Sequence, residues 1–124
     1  MKALLALATL VLSTNAFAAA LPKTLECDNG ILDDDRLQAV KITKKTVEFQ
    51  MWETFVTAKR ADVQTNGNTL AIVEKTLPAS AEGDESKVKT SALLVYVPAE
   101  KALIATLVLD GNHAVMSAVK MKCK

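Results

Sequence analysis

Aromatic side chains are scarce in this chain, with one Trp, one Tyr and three Phe among 124 residues. One of the three, Phe17, sits in the apolar N-terminal segment. Any core formed beyond that segment must therefore be mostly aliphatic. Histidine is scarcer still. With His113 the only one, a histidine-based metal centre lacks its ligands, and a histidine base could come from nowhere else. The two cysteines, Cys27 and Cys123, lie far outside the C-x-x-C spacing of a redox dithiol. No G-x-S-x-G is present, and Ser80, Ser86, Ser91 and Ser117 have no nucleophile signature around them. These gaps close the usual routes to hydrolytic, redox and metal-assisted chemistry. The chain is expected not to be an enzyme and to carry no metal or cofactor.

Charge of one sign is also missing. Lys and Arg number 15 against 14 Asp and Glu, and setting aside Lys2 brings the two into balance. That balance argues against nucleic acid and against electrostatic attachment to anionic lipid as the main activity. The residual basic feature is the tail Lys120, Lys122, Lys124. Nor does any apolar run reach the roughly 20 residues of a spanning helix.

What is present begins with the layout of a secretory signal over residues 1–18. Met1 and Lys2 give a short positive start, Ala3 to Leu12 is uncharged and apolar, and Ser13-Thr14-Asn15 turns polar. Ala16-Phe17-Ala18 then offers small residues at the two positions a signal peptidase inspects, and Ala18-Ala19-Ala20 offers a second frame. Its short, Ala-rich form is of the bacterial kind, so a periplasmic or secreted address is expected. Cys27 follows Thr24-Leu25-Glu26, past the cleavage sites and out of reach of lipidation. Residues 19–124 are expected to be one domain without membrane insertion. In an oxidising compartment Cys27 and Cys123 should be bridged, closing nearly the whole domain into one loop. The chain-entropy model values such a loop at about 4–5 kcal/mol.

Period-two alternation dominates the remainder. Strands are expected over 23–27 and 36–43, then over 47–51, where Val47, Phe49 and Met51 alternate with Glu48, Gln50 and Trp52. The last is expected to continue, past a bend or bulge, through Thr54, Val56 and Ala58. Residues 61–65 and 69–76 flank Asn66-Gly67-Asn68, a hairpin signal. Residues 77–86 are expected to form the one long loop. Three strands follow, 88–97, 102–109 and 114–123, with 93–97 apolar on both faces and so expected to be covered. Val115, Val119, Met121 and Cys123 share one face of the last. Leu37 and Val40 also fit a helical turn behind an Asp cap. The fold class is all-β: a single small antiparallel domain of seven or eight strands, an up-and-down barrel in preference to a sandwich.

Candidate sites are few. Asp33-Asp34-Asp35, with Asp28 and Asn29 nearby, is read as a solvated loop, because it lacks the alternate ligands and central Gly of a calcium loop. His113 beside Asp110 is read as an exposed turn residue. Trp52 falls opposite the apolar face of its strand, where it either anchors a partner or is turned inward by a bulge. Phe55 and Tyr96, with Met51, can join it in a patch. Within the expected loop, Leu77, Pro78 and Ser80 form a Pro-stiffened segment suited to a protease cleft, and Glu82, Asp84 and Glu85 make its second half acidic. The candidate binding surface is therefore Trp52, Phe55, Tyr96, Leu77, Pro78 and Ser80.

In size, N-terminal segment, cysteine pair and strand count the chain resembles the small periplasmic inhibitor proteins, single β-barrels with one disulfide that block lysozymes or proteases. The resemblance implies a non-enzymatic binding module for a protein or small ligand. The alternative is a structural or envelope-associated subunit, with 93–97 and 103–109 as its interface.

Overall fold

A computed structural model describes residues 21–30, 37–51, 54–81, 84–109 and 116–124. The expected signal segment, Asp33 to Asp35, Trp52, Asp110 and His113 lie outside the described residues.

The strands are β1 (Leu25–Asp28), β2 (Ala39–Ile42), β3 (Thr46–Met51), β4 (Thr54–Lys59), β5 (Gln64–Asn66), β6 (Thr69–Ala81), β7 (Asp84–Val97), β8 (Ala102–Leu109) and β9 (Met116–Cys123). All pair antiparallel. The order β4-β3-β2-β1-β9-β8-β7-β6-β5, with β4 also paired to β6, closes eight of them into a barrel and leaves β5 as an extra strand. Each barrel strand neighbours the next along the chain, apart from the β5 excursion. This is the up-and-down barrel, not the sandwich.

Local chemistry accounts for the turns. Between β2 and β3, the Thr43 hydroxyl accepts the N–H of Lys45 (3.2 Å) and Thr46 (3.0 Å), so Lys44-Lys45 is a turn held by a threonine. Between β5 and β6, Gly67 takes φ +60° in the Asn-Gly-Asn hairpin. Between β7 and β8, Pro98–Glu100 forms one 3-10 turn, ended by Lys101 in the left-handed region at φ 47° and ψ 49°. Ahead of β2 there is no helical turn in the described residues. Gln38 donates to the Gln50 carbonyl at 2.8 Å, which extends the β2–β3 pairing instead.

The expected loop over 77–86 is corrected. Residues 77–81 complete β6 and pair with 84–88 of β7, from Leu77↔Val88 to Ala81↔Asp84. The misreading has two causes. A bulge between Ile72 and Lys75, with Glu74 at φ 47°, reverses the alternation, so Leu70 and Ile72 point inward before it and Leu77 and Ala79 after it. Pro78 then resembles a breaker. From the Tyr96 N–H bonded to the Asn68 carbonyl (2.9 Å), alternation turns Pro78 away from β7 and toward β4, where pairing stops at Ala79↔Val56. Its missing N–H ends that ladder without breaking the hairpin.

The interior is filled by aliphatic side chains around two aromatics, Phe49 and Tyr96. Phe49, Leu37, Ile42, Leu70, Leu94, Leu103, Leu107 and Met121 are all less than 2 % exposed. Burial of each contributes about 1.5–3 kcal/mol relative to exposure. Thr90, also buried, donates its hydroxyl to the Val88 carbonyl at 3.1 Å.

Two seams close the barrel, and both are short. β4 meets β6 through three residue pairs, Thr54↔Ala81, Phe55↔Ser80 and Val56↔Ala79. β1 meets β9 through two, Cys27↔Cys123 and Asp28↔Lys122. At the second seam the disulfide forms between directly opposed residues, 96 apart in sequence and 4.0 Å apart at Cα. The Lys124 N–H adds a bond to the Glu26 carbonyl at 2.9 Å.

Candidate binding surface

With the inside occupied, the chemistry open to partners lies on the outer wall. The alternation that buries Val56 and Ala58 on β4 turns Phe55 and Thr57 outward. Phe55 stands directly opposite Ser80, and Pro78 opposite Lys87. These side chains line an open groove of about 580 Å³ across β4, β6 and β7, with Ala79 and Ser86. Three of the six residues of the expected surface, Phe55, Pro78 and Ser80, are thus brought together.

The other described members are not. Leu77 is 3 % exposed and Tyr96 9 %, and both belong to the core. Tyr96 lies on the inward face of β7 with Thr90, Ala92 and Leu94, so it presents no surface for a partner.

A second outer feature is larger in apolar content. The expectation that 93–97 is covered on both faces is corrected: Leu94 and Tyr96 point inward, while Leu93 on the outer face is 47 % exposed. Ile104 (43 %) and Val73 (60 %) are exposed with it. Cross-strand register joins them. Ala71, Leu93 and Thr106 stand in one row across β6, β7 and β8, and Thr69, Val95, Ile104 and Lys120 in the next. Leu93 and Ile104 are therefore diagonal neighbours on adjacent strands. Val73 extends the strip into the bulge. Leu93 and Ile104 were legible in the sequence as part of an apolar two-faced stretch; Val73 is turned out by the alternation that buries Leu70 and Ile72, at the point where the bulge begins.

Neither feature holds a reactive arrangement. In the groove no hydrogen bond links Ser80 or Ser86 to Lys87 among the described residues. In the strip, the Ser91 hydroxyl is taken up by the Glu74 N–H at 3.0 Å, where it secures the bulge. No cluster of three His, Cys, Asp or Glu with metal-ligand geometry occurs among the described residues. No helix of the described residues is long and apolar enough to cross a membrane. What the wall offers is contact area: an apolar strip with polar margins at Thr69, Thr106 and Lys120, beside a groove floored by one aromatic ring. Comparison with protein-family models, with curated proteins and with solved structures finds no match.

Proposed function

We propose that the protein is an exported, non-enzymatic binding module that engages a protein partner through the outer face of β6, β7 and β8. One observation carries this reading: Val73, Leu93 and Ile104 are large apolar side chains left exposed in one contiguous strip, while the barrel interior is already filled. Isolated exposed aliphatics are ordinary, but a joined strip with polar margins is the pattern of an interaction site. A filled interior favours a protein partner over a small ligand held in a barrel mouth. The groove at Phe55, Pro78 and Ser80 lies on the same β6–β7 hairpin and extends the contact area.

A photo-reactive residue at position 93 tests the reading, with one at Glu48 on the outward face of β3 as control. Lysozymes and proteases are the first partners offered, as the inhibitor-like resemblance directs. Crosslinking at 93 but not at 48 is expected. Equal yields at both positions would remove the wall as the site.

The same strip supports a second reading, a structural subunit in which it is a permanent interface. Light scattering separates the two. The binding module is a monomer when alone, whereas the subunit self-associates at micromolar concentration.

Export rests on the N-terminal pattern, and the disulfide is compatible with it. N-terminal sequencing of the protein from an extracytoplasmic fraction should begin at Ala19, or at Leu21 if the second frame is used. A chain retaining Met1 in that fraction would overturn the cleaved signal.

A further inference from the structure

The near-zero net charge conceals a segregation that only the topology brings out. At one end of the barrel β1, β3, β6 and β8 begin and β2, β4, β7 and β9 finish. The connections there carry Lys44 and Lys45 between β2 and β3, Lys59 and Arg60 where β4 ends, and Lys23, Lys101 and Lys124 where β1, β8 and β9 meet that end. Against these stand Asp62, Glu100 and Glu26, of which Glu100 is already bonded to Lys120 on β9 at 2.6 Å and Glu26 is paired with Lys41 on β2 at 3.5 Å. The balancing acids lie elsewhere in the chain.

These cations form a continuous arc. The Lys101 carbonyl accepts the Cys123 N–H, and the next residue, Lys124, donates to Glu26 of β1. β1 pairs with β2 as far as Leu25↔Ile42, which leads into the Thr43 turn. The Lys45 carbonyl accepts the Arg60 N–H at 2.8 Å, and Lys59 stands opposite Thr46. All the lysines of the arc are exposed, and none makes an ion pair among the described residues.

We propose that this rim seats the protein on an anionic lipid surface. Three features select that partner. The backbone N–H groups of Lys45, Thr46, Arg60, Lys101 and Lys124 are all bonded within the fold, so the amides of these five cation-bearing or adjoining residues are not offered to a single small anion. Recognition falls to ammonium groups spread along an arc, which suits a surface of many negative charges. No aromatic side chain of the described residues lies in the rim connections to stack on bases, and the guanidinium of Arg60 is turned to the Thr43 carbonyl at 3.5 Å. The exposed apolar residues there are Ala61, Pro98 and Ala99, too small to anchor a protein interface or to enter the hydrocarbon. Attachment is peripheral and reversible by salt. It leaves the apolar strip on the wall free for its partner.

The test is co-sedimentation of the oxidised, exported protein with vesicles of phosphatidylglycerol and phosphatidylcholine, against phosphatidylcholine alone, at low and high salt. Binding to the anionic vesicles at low salt, released by high salt, is expected. A K44A/K45A variant should bind about 25-fold more weakly, at about fivefold per lysine. K59A should bind about fivefold more weakly. A K75A/K89A variant, with the same charge change on the exposed β6–β7 wall, should stay within about twofold of wild type. Unfolding midpoints like that of wild type show that the variants fold. Equal losses for rim and wall pairs, or no binding to anionic vesicles at low salt, would overturn the proposal. So would rim-dependent binding to duplex DNA as tight as that to the vesicles, which would make the rim a nucleic-acid surface.

Discussion

Leu93 and Leu94 are chemically identical neighbours with opposite tasks, one on the outer wall and one in the core. Leu94→Ala should cost about 2–5 kcal/mol, since it removes buried methyl groups and leaves a cavity. Leu93→Ala should cost no more than about 1 kcal/mol, because water already reaches the side chain. Urea unfolding of the two variants checks this, and equal costs would mean that the outer strip is covered in solution. At this scale the sequence was most informative where one face was plainly polar, as for Val47, Phe49 and Met51 against Glu48 and Gln50. It was least informative where both faces were apolar. There Leu93 to Val97 read as doubly buried, and the assignment of inside and outside waited on register. Tyr96 misled for a related reason. It was expected to join Trp52 in an apolar patch, whereas an inward position near the end of β7 buries it.

Among the elements, β6 departs furthest from its sequence pattern. A stretch containing Pro, Ala and Ser and bordering an acidic run has the composition of a loop, yet residues 77–81 of it complete a strand of 13 residues. The composition is tolerated because Pro78 faces the interrupted seam and because the bulge resets the alternation before Leu77. The interruption itself has a regular frame. Thr54 pairs with Ala81 and Gln64 with Ala71, so β4 and β5 meet β6 in one register, with the ladder broken between them. A 3-10 turn at Arg60–Asp62 lies on one side of the break and the bulge on the other. Backbone N–H groups facing this gap have no strand partner. They should exchange with solvent well ahead of those between β7 and β8, which pair without interruption from Thr90↔Leu109 to Val97↔Ala102. Hydrogen exchange read by NMR separates the two. Equal protection across both would mean that the β4–β6 ladder is complete in solution.

For the whole molecule, the barrel and the disulfide were legible early, because even strand spacing and two cysteines at the chain's extremes both pointed to closure. The register that sets Cys27 directly opposite Cys123 was not, since strand pairing depends on contacts remote in sequence. The seam between β1 and β9 has only two residue pairs, so the covalent link carries much of its closure. Reduction, or replacement of Cys27 and Cys123 by Ala, should lower stability by about 2–5 kcal/mol. A matched pair of denaturant titrations, with and without reductant, reads the difference. The charge segregation was hidden for the same topological reason: a balance summed over the chain says nothing about which connections gather at one end.

The reading of the outer wall as a protein-binding face is tested most directly by carrying wild type and an L93D/I104D variant through the same lysozyme and protease capture, after their unfolding midpoints have been matched. Capture by wild type and its loss in the variant, with the fold intact, is the expected result. Undiminished capture by the variant, or a small molecule recovered from the interior of the purified protein, would contradict it.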